Sequence, residues 1–301
     1  MRAVQFNEFG SADVLRVNEI DKPEPGPGQV RVAVRSASVN PADWKIRYGY
    51  MEEVFPVEFP HIPGLDLAGV VDAVGEGADF AVGDEVFGWG DSGSYADYAL
   101  ASALALKPEG LSWADAAALP VGGETALRVL GQLDVSAGET VLIHGASGAV
   151  GSLAVQLAVA RGATVIGTNS EANDDYVRSL GAVPVRYGDG LVDRVRSAAP
   201  QGVDAVFDAA GFGVLSDAVE LRGGTDRIVT VADPSAFERG IAFSGEMNRS
   251  PQLLAELADH VVAGKLRITH SESYPLEKAA EAHRFSETGH SRGKIILEVS
   301  S

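Results

Sequence analysis

A glycine-rich turn near the middle of the chain carries the clearest chemical signal in the sequence. Its three glycines have the spacing G-x-x-G-x-x-G, after the apolar run VLIH (141–144) and before a helical stretch that continues to about Arg161. Such glycines let the backbone approach a pyrophosphate, and the following helix offers free N–H groups and a positive dipole end. The pattern predicts a dinucleotide site at Gly145, Ala146, Ser147, Gly148, Ala149, Val150 and Gly151. The alternative is a tight turn that binds nothing.

The end of the next predicted strand, TVIGT (164–168), bears on which dinucleotide binds. A site that prefers NAD usually places an acidic side chain there, which accepts a hydrogen bond from the ribose 2′-hydroxyl. In this chain the tip carries Thr168, Asn169 and Ser170. Small uncharged side chains leave room for a 2′-phosphate, so the tip favours NADP. The acids within 171–175 oppose a phosphate, unless they form the solvated first turn of a helix.

The chain contains two regions that differ in predicted secondary structure, and their elements must position this turn. Before about residue 102 the chain is β-rich, with strands predicted at 14–20, 29–38, 67–75, 84–90 and 94–102. Only Pro41 to about Tyr48 is helical in character there. From about residue 112 helical stretches alternate with short β runs, and Pro251 opens a late helix. This alternation is typical of βαβ units around a parallel sheet, so we predict an α/β fold with a β-rich first part.

Composition restricts the function further. The chain has 301 residues, no cysteine, and 42 acidic against 24 basic residues, which gives a net charge of −18. This excludes disulfides, thiolate nucleophiles and cysteine-ligated metals, and makes nucleic acid or an anionic membrane a poor partner. The six histidines lack the spacing of a metal cluster. The length suggests two domains, and the absence of a leader-like start or a long apolar run suggests a cytoplasmic protein.

Several segments, taken in order, resemble the medium-chain dehydrogenase/reductase superfamily, and specifically its zinc-free, zeta-crystallin-like quinone oxidoreductase branch. The similarity covers essentially the whole chain. Besides the glycine turn, it is carried by SVNPADWKIRYG (38–49), PHIPGLDLAGVVDAVGEG (60–77), VGDEVFG (82–88), GSYADY (93–98), AAALPVGGETAL (116–127), LGA (180–182) and TGHSRGKIIL (288–297).

The resemblance implies a two-domain architecture. A GroES-like β-rich catalytic domain would span 1–117 and be completed by 265–301. A Rossmann nucleotide-binding domain with a doubly wound parallel sheet would span 118–264. The family also suggests a homodimer joined along the nucleotide-domain sheets, for which the predicted strand RIVTVA (227–232) is our candidate.

The resemblance also bears on metal and chemistry. Zinc-dependent relatives carry a cysteine where this chain has Asn40, and Gly-His-Glu where it has Gly64-Leu65-Asp66. These residues cannot hold tetrahedral zinc, so we expect no metal. Without a Lewis acid to polarise an alcohol, hydride transfer to an already electrophilic carbon remains. We therefore expect an NADPH-dependent reductase of a small-molecule quinone or enone.

Three residues are the candidates for catalysis. Asn40 resembles the family's active-site asparagine, whose amide could stabilise a developing oxyanion, and it could also cap the helix that starts at Pro41,. Asp43 matches the recurring Asn-x-x-Asp, and either orients its neighbours or transfers a proton. Lys45 stands where some relatives have tyrosine and could relay a proton, or could be a surface lysine,. Tyr48 is a weaker donor candidate.

The family further suggests where the cofactor touches the chain outside the turn. Thr125 matches a threonine near the nicotinamide, and Tyr187 an aromatic residue by the adenosine. Asn173 stands about where close relatives carry Arg or Lys at the ribose. Arg292 and Lys294 could supply that charge, or could form a turn that opens a strand. Loops after strands of the parallel sheet would contribute Ala210, Gly211, Val231 and Ala232,.

Two other functions remain open and a third is rejected. The chain could bind NADPH with structural or sensing duties and little turnover, or it could be an NADH-preferring reductase of the same fold. The segment Tyr274–Lys278 imitates the Tyr-x-x-x-Lys dyad of short-chain dehydrogenases. Pro275, however, places the start of the helix after Tyr274, so the two side chains do not share one helical turn,.

Overall fold

The chain has strand-rich ends and a βαβ region between them. The computed structural model describes residues 1–211 and 213–299. The first elements are β1 (Arg2–Gln5), β2 (Arg16–Glu19), β3 (Val30–Val39), α1 (Pro41–Arg47), β4 (Asp66–Val74), β5 (Glu85–Trp89), β6 (Tyr98–Ala101), β7 (Ala103–Leu106) and α2 (Trp113–Ala118). The middle elements are α3 (Pro120–Gln132), β8 (Thr140–His144), α4 (Ala149–Ala160), β9 (Thr164–Asn169), α5 (Asp174–Ser179), β10 (Val183–Arg186), α6 (Leu191–Ala198), β11 (Ala205–Asp208), α7 (Leu215–Arg222), β12 (Ile228–Thr230), α8 (Ala236–Arg239) and β13 (Ala242–Phe243). The last are α9 (Pro251–Val262), β14 (His270–Pro275), α10 (Ala279–Glu287) and β15 (Lys294–Glu298). Over the described residues, no helix is long and apolar enough to cross a membrane.

The chain divides into two compact units. The first contains Met1–Val121 and the chain from Arg249 onward, and the second contains Gly122–Asn248. This division differs from the ranges expected from the sequence, 1–117 with 265–301 and 118–264, mainly because residues 249–264 fall in the first unit. The physical reason is α9, which packs against β7 and buries an apolar face there.

In the first unit, seven strands form a sheet in the order β14-β15-β3-β4-β5-β7, with β6 also paired to β3. The central strand β3 runs antiparallel to both β15 and β4, with Val39 opposite Ile295 and Ser38 opposite Asp66. The C-terminal end of β3 therefore lies beside the N-terminal ends of two neighbours. This register brings Asn40, Asp66 and Lys294 to the same edge of the sheet.

In the second unit, six parallel strands lie in the order β10-β9-β8-β11-β12-β13. Strands β9 and β10 lie on one side of β8, and β11, β12 and β13 lie on the other. The strand order therefore reverses between β8 and β11, which is where ligands of such sheets bind. The glycine turn directly follows β8. The predicted α/β class with a doubly wound parallel sheet is confirmed.

The strand expected at 227–232 is shorter and more central than predicted. It covers Ile228–Thr230 and pairs with β11 on one side and β13 on the other. Its backbone N–H and C=O groups are used within the sheet, so it cannot pair edge to edge with a second chain. The edge strand at this end of the sheet is β13.

The rejected short-chain dehydrogenase dyad is also absent from the structure. Tyr274 lies in β14, and a 3₁₀ turn begins only at Leu276. Tyr274 and Lys278 are therefore not one turn apart on a helix, as Pro275 predicts.

Candidate active site

Asn40, Asp66 and Lys294 form a buried ionic cluster at the strand ends of the first unit. The Asp66 and Lys294 side chains are 0% and 3% exposed, and Lys294 Nζ lies 3.1 Å from Asp66 Oδ2. The same Nζ donates to Asn40 Oδ1, while Asn40 Nδ2 donates to Asp66 Oδ2 over 2.9 Å. Ser38 Oγ and the Val121 amide also donate to Asp66, over 2.6 Å and 3.0 Å. The Asn40 amide is thus held at both ends in one orientation.

The backbone of Asn40 is fixed by helix α1, which follows it. Asn40 is extended and Pro41 occupies the first helical position, as expected for a helix start. The Asp43 carboxyl accepts the Asn40 backbone N–H over 2.7 Å. Asn40 therefore holds the cap position, while its side chain is committed to Asp66 and Lys294. The side-chain bond at this helix start is therefore the one that the Asp43 carboxyl accepts from the Asn40 backbone.

A second line of hydrogen bonds starts at Asp43 and runs through buried side chains. Tyr95 Oη donates to Asp43 Oδ2 over 3.1 Å, and His283 Nε2 lies 3.3 Å from Tyr95 Oη. Arg47 Nη1 lies 2.9 Å from His283 Nδ1, and Arg47 Nη2 donates to Glu287 over 2.7 Å. Because a guanidinium can only donate, His283 Nδ1 accepts and the imidazole proton sits on Nε2.

Burial sets the charge states along this line. It raises the pKa of Asp43 to about 7, against the lowering effect of the Asn40 amide and with a further rise from the Asp66 charge. It lowers the pKa of His283 to about 3, and the Arg47 charge acts in the same direction. Burial and the Asp43 carboxyl raise the pKa of Tyr95 well above its ordinary value. At neutral pH, His283 is therefore uncharged, Tyr95 keeps its proton, and Asp43 populates both of its forms.

Asp43 also lines a cavity of about 230 Å³ within the first unit. The rest of the lining is partly apolar, from Ile46, Phe55 and Leu65, and partly polar, from His61, Asp91 and Arg249. Arg249 Nη1 lies 3.5 Å from Asp91 Oδ1. Burial lowers the pKa of His61. A lining of this kind suits a small apolar molecule that carries an oxygen acceptor.

The remaining candidates on and after α1 have other neighbours. Lys45 Nζ lies 5.7 Å from the centroid of the Trp44 ring. Tyr48 stacks on Tyr50 with 5.1 Å between ring centroids, and its hydroxyl donates to Glu287 over 3.3 Å. Tyr48 thus belongs to the outer end of the line that begins at Asp43.

The glycine turn of the second unit has the close-packed backbone that a pyrophosphate site needs. Gly145 has φ +75°, and a Cβ on Gly151 would lie 2.1 Å from the Gly145 carbonyl oxygen. Gly148 caps the twelve-residue helix α4 without a side-chain hydrogen bond, so the first-turn amides of α4 have no intrahelical acceptor. The amides of Gly145, Ala146 and Gly148 already donate to Thr168 and to the Gly145 carbonyl. The N–H groups that fit a dinucleotide pyrophosphate are therefore those at the start of α4, and the glycines let it come close to them.

Two further loops are held against this turn by a buried aspartate. Asp208 Oδ1 accepts the amides of Ala210 and Gly211, both over 2.9 Å, and its Oδ2 accepts from Thr230 Oγ1 over 2.7 Å. A Cβ on Gly211 would lie 2.7 Å from the Ala232 Cβ, and one on Gly145 would lie 3.3 Å from the Ala210 Cβ. The structure thus gathers predicted cofactor residues from three strand ends: Gly145, Ala210, Gly211, Val231 and Ala232.

His144, at the end of β8, is a buried structural residue beside this site. Its Nδ1 lies 3.2 Å from Thr168 Oγ1, which also accepts the Gly145 amide over 3.2 Å. Burial lowers the pKa of His144 to about 4, although the charge of Asp208 acts in the opposite direction. His144 is therefore neutral at physiological pH and links β8 to the tip of β9.

The tip of β9 is joined to the glycine turn by a small polar network. Asn173 Nδ2 donates to Ser147 Oγ and to Ser170 Oγ, each over 3.2 Å. Tyr187 follows β10 with 53% of its surface exposed, and its amide donates to the Asn169 carbonyl over 3.4 Å. This exposure does not fit a role in core packing. The predicted ribose residues and Tyr187 therefore share one edge of the sheet.

Arg186 adds a cation to this edge that the sequence motifs did not predict. Arg186 ends β10, and the register of the sheet places it directly beside Asn169. Its guanidinium lies 2.6 Å from Glu171 and 4.0 Å from Asp174. The Arg186 side chain is 52% exposed and that of Glu171 73%. The pairing of adjacent strands thus brings a positive charge to the ribose tip from outside the expected 172–173 position.

Thr125 lies in the middle of α3, next to a buried ion pair. Glu124, which is 0% exposed, lies 2.7 Å from Arg128, and its Oε2 accepts from Thr125 Oγ1 over 3.4 Å. The Asn248 amide donates to Glu124 over 2.9 Å, and Arg128 donates to the Ser244 carbonyl over 3.2 Å. The pair therefore fastens the segment 244–248 to α3.

Lys294 is the predicted cofactor residue whose surroundings differ most from expectation. Its Nζ is committed to Asn40 and Asp66 inside the first unit, so its place is in the buried cluster and not at a cofactor phosphate. Arg292, two residues earlier, is exposed. Among the described residues, no group of three or more His, Cys, Asp or Glu side chains could hold a metal ion.

Comparison with known proteins identifies the family. Family models match the chain over residues 26–109, as an alcohol dehydrogenase GroES-like domain, and over 180–297, as a zinc-binding dehydrogenase. A quinone oxidoreductase of Sus scrofa is 36% identical over 324 residues, which cover 99% of this chain and 97% of that protein. This chain belongs to the medium-chain dehydrogenase/reductase superfamily. Within that superfamily it falls in the zeta-crystallin-like quinone oxidoreductase branch, as the sequence predicts, and it is an enzyme.

Two further relatives agree with this family. The chloroplastic NADPH-dependent alkenal/one oxidoreductase of Arabidopsis thaliana is 33% identical over 99% of this chain and 79% of that protein. The structure of the quinone oxidoreductase from Coxiella burnetii matches with a TM-score of 0.89 and 33% identity, over 100% of this chain and 99% of that one. The chain is therefore a nicotinamide-dinucleotide oxidoreductase with small-molecule substrates.

Proposed function

We propose that the enzyme reduces a quinone, or the activated double bond of an enone, with NADPH and without a metal. The observation that carries the proposal is the Asn40 amide, fixed by Lys294 at Oδ1 and by Asp66 at Nδ2. An amide nitrogen carries two N–H bonds, of which Asp66 takes one. We assign the second to the carbonyl oxygen of the substrate, where negative charge develops during reduction.

The roles of the residues follow from their positions. Bound NADPH supplies the hydride. We assign the first unit to catalysis and the second to nucleotide binding. Asn40 holds the substrate oxygen, and Lys294 and Asp66 position Asn40. The cofactor contacts we propose are residues 145–151 for the pyrophosphate, Thr168, Asn169, Ser170, Asn173 and Tyr187 for the adenosine half, and Thr125, Ala210, Gly211, Val231 and Ala232 for the nicotinamide half.

Arg186 supports NADP over NAD. A 2′-phosphate seeks an arginine or lysine, and Arg186 lies beside Asn169 at the ribose tip. Its present partner Glu171 is largely exposed, and exposed ion pairs are worth only about 0–1 kcal/mol. The free-energy cost of replacing Glu171 by a phosphate as the partner of Arg186 is therefore small. The Arabidopsis relative is NADPH-dependent by name, which points the same way.

We also propose a homodimer, formed through the edge strand β13 of the parallel sheet. Near this edge the Phe237 side chain is 71% exposed, with its ring centroid 5.1 Å from that of Phe243. An uncovered aromatic pair beside an open strand edge suits a second copy of the chain. Sedimentation should show a dimer that Phe237→Ser weakens. A monomeric wild-type enzyme at micromolar concentration contradicts this interface.

The main test is NADPH oxidation with a panel of quinones and enones. We expect turnover with at least one class, and loss of most of it in Asn40→Ala with the NADPH dissociation constant unchanged. Tight NADPH binding without oxidation by any acceptor would favour a structural or sensing role. Tighter binding of NADH than of NADPH would show the NADP assignment to be wrong.

A further inference from the structure

We infer that Asp43 is the proton donor of the reduction, that its transferable proton sits on Oδ1, and that Tyr95 and the Asn40 backbone keep it there by occupying Oδ2. This inference rests on the proposed function. It goes beyond it by naming the atom that completes the reduction and the side chain that controls that atom.

The directions of the hydrogen bonds assign the two carboxyl oxygens. Oδ2 accepts from the Asn40 N–H over 2.7 Å and from Tyr95 Oη over 3.1 Å. The Tyr95 hydroxyl is free to donate because the His283 Nε2–H donates to it, and His283 takes this tautomer because Arg47 donates to its Nδ1,. An oxygen that accepts two hydrogen bonds is the unprotonated one. A proton on Asp43 therefore belongs on Oδ1.

The other oxygen, Oδ1, is left for a ligand. It is buried and has no hydrogen-bond partner among the described residues. Asp43 as a whole is 1% exposed and borders the cavity of about 230 Å³ in the first unit. A buried carboxyl oxygen without a partner is costly unless it is protonated or meets a polar group. A substrate that enters this cavity provides that group.

Several charges act on Asp43 from the elements around it. Asp66 on β4 raises its pKa, whereas Lys294 on β15 and the hydrogen bond from Tyr95 lower it. Arg47 and His283 stand behind Tyr95, and His61, Asp91 and Arg249 face the cavity. Burial dominates and puts the pKa of Asp43 at about 7. The carboxyl is thus protonated in a substantial fraction of molecules at neutral pH, as a general acid must be.

Hydride from NADPH adds to the β-carbon of the enone and leaves an enolate. The O–H bond at Asp43 Oδ1 then breaks, a C–H bond forms at the α-carbon, and the proton neutralises the enolate. Asp43 is left as a carboxylate. Since Arg47 cannot give up a proton, the line behind Tyr95 conducts none, and Asp43 is reprotonated from solvent through the cavity.

The experiment compares Asp43→Asn and Tyr95→Phe with wild type and with the matched control Tyr98→Phe, three residues from Tyr95. In Asp43→Asn the amide oxygen can still accept both donors, but no acidic proton remains. Enone turnover should fall about 10²–10⁴-fold, as for loss of a general acid. The decline of the wild-type kcat as pH rises through about 7 should disappear in the residual rate.

Tyr95→Phe separates a positioning role from a structural one. Loss of a hydrogen bond that favours the carboxylate raises the pKa of Asp43, so the alkaline decline of kcat should move upward by about 0.5–1 pH unit. The ¹³C carboxyl resonance of Asp43, assigned by its absence in Asp43→Asn, should shift its titration by the same amount without any substrate. Tyr98→Phe should change neither.

The outcomes separate the inference from the proposed function. If no quinone or enone is reduced, the proposed function fails, whatever the Asp43 titration shows. If wild type turns over but Asp43→Asn keeps its rate and pH profile, the inference is overturned and the function stands. An Asp43 resonance that titrates at the ordinary aspartate pKa, or an unmoved titration in Tyr95→Phe, also overturns it.

Discussion

The candidate site of the first unit consists of charged side chains, whereas that of the second consists of backbone amides. In the first unit, charged side chains meet in the core: Asp66, Lys294 and Arg47 are all nearly unexposed. In the second, the glycine turn presents backbone amides, and its shape depends on the absence of side chains at Gly145 and Gly151. A substitution in the first site strands a buried charge, whereas one in the second adds volume. The first kind should affect catalysis and folding, and the second mainly the binding of dinucleotide.

The largest effect should come from breaking the buried ion pair. Asp66→Ala leaves the ammonium of Lys294 without its carboxylate, which typically costs about 3–5 kcal/mol. We expect the free energy of unfolding in urea to drop by that order. The control is Glu281→Ala on α10, which removes the partner of Lys278 from a pair with both side chains about half exposed, 54% and 52%, and should cost at most about 1 kcal/mol. Equal losses in both variants would contradict a buried ionic cluster.

Lowering the pH should destabilise the two units to different extents. His144 and His283 have folded pKa values of about 4 and about 3, below the ordinary 6.5. Below pH 6.5 these histidines are protonated in the unfolded chain but stay neutral in the folded one. Each of them therefore destabilises its unit as the pH falls, by about 2 kcal/mol at pH 5. Asp43, with its raised pKa of about 7, stabilises the first unit over the same interval because there the fold binds the proton more tightly.

In the first unit, the opposite effects of Asp43 and His283 should nearly cancel between pH 7 and pH 5. In the second unit, His144 acts without the opposing effect of Asp43. Hydrogen-exchange protection should therefore fall more in β8 than in β3 on acidification. His144→Gln should flatten the response of β8, and His260→Gln, on the exposed face of α9, should not. Parallel loss of protection in both strands would refute the contrast.

A change of volume in the glycine turn should have a smaller effect, and on binding. A Cβ at Gly151 would lie 2.1 Å from a backbone oxygen, so Gly151→Ala forces the turn to move, at a cost of about 1–3 kcal/mol. We expect calorimetry to show weaker binding of NADPH and NADH alike. Gly131→Ala in α3 meets nothing within 4 Å, and it should keep the affinity while stabilising the helix slightly. An unchanged affinity in Gly151→Ala would contradict the pyrophosphate site.

The smallest effect should be on the choice of cofactor. Arg186→Gln should weaken NADPH by about fivefold, roughly 1 kcal/mol, and leave NADH unchanged. Glu171→Gln should do the reverse and tighten NADPH, because it frees the guanidinium. The control Arg196→Gln removes another exposed pair of the same unit, with Glu220 at 3.0 Å, and should have no effect. If neither Arg186→Gln nor Glu171→Gln changes the affinity for NADPH, the 2′-phosphate binds elsewhere.

Local patterns predicted the elements well, because strand alternation and the glycine spacing are short-range signals. The strand expected at 29–38 is β3, Val30–Val39, and the predicted helix after Pro251 is α9. The buried site was harder, since its members are far apart in the sequence. Lys294 lies 254 residues from Asn40, and only the sheet register joins them. The sequence pointed to Asp66 only through its place in Gly64-Leu65-Asp66, where zinc-dependent relatives carry Gly-His-Glu, and at the head of the apolar segment that follows.

Arg186, in the second unit, shows the same limit. The sequence has no cation at 172–173, where the family resemblance implies one for the phosphate, and offers Arg292 and Lys294 instead. The pairing of β10 with β9 supplies one from the next strand instead, opposite Asn169. Which residue faces which across a parallel sheet is fixed by register, and register depends on packing that no short window of sequence contains.

The hydrogen bond between Asn248 and Glu124 has a consequence for how such a chain can be assembled. The second unit begins at Gly122 and ends at Asn248, and this bond of 2.9 Å holds its two ends together. A segment whose ends meet can be lifted out of a host sequence, or grafted into one, with only a short join. The second unit is therefore organised as an insertion within the first. A few linking residues in place of 122–248 would join the two chain segments of the first unit.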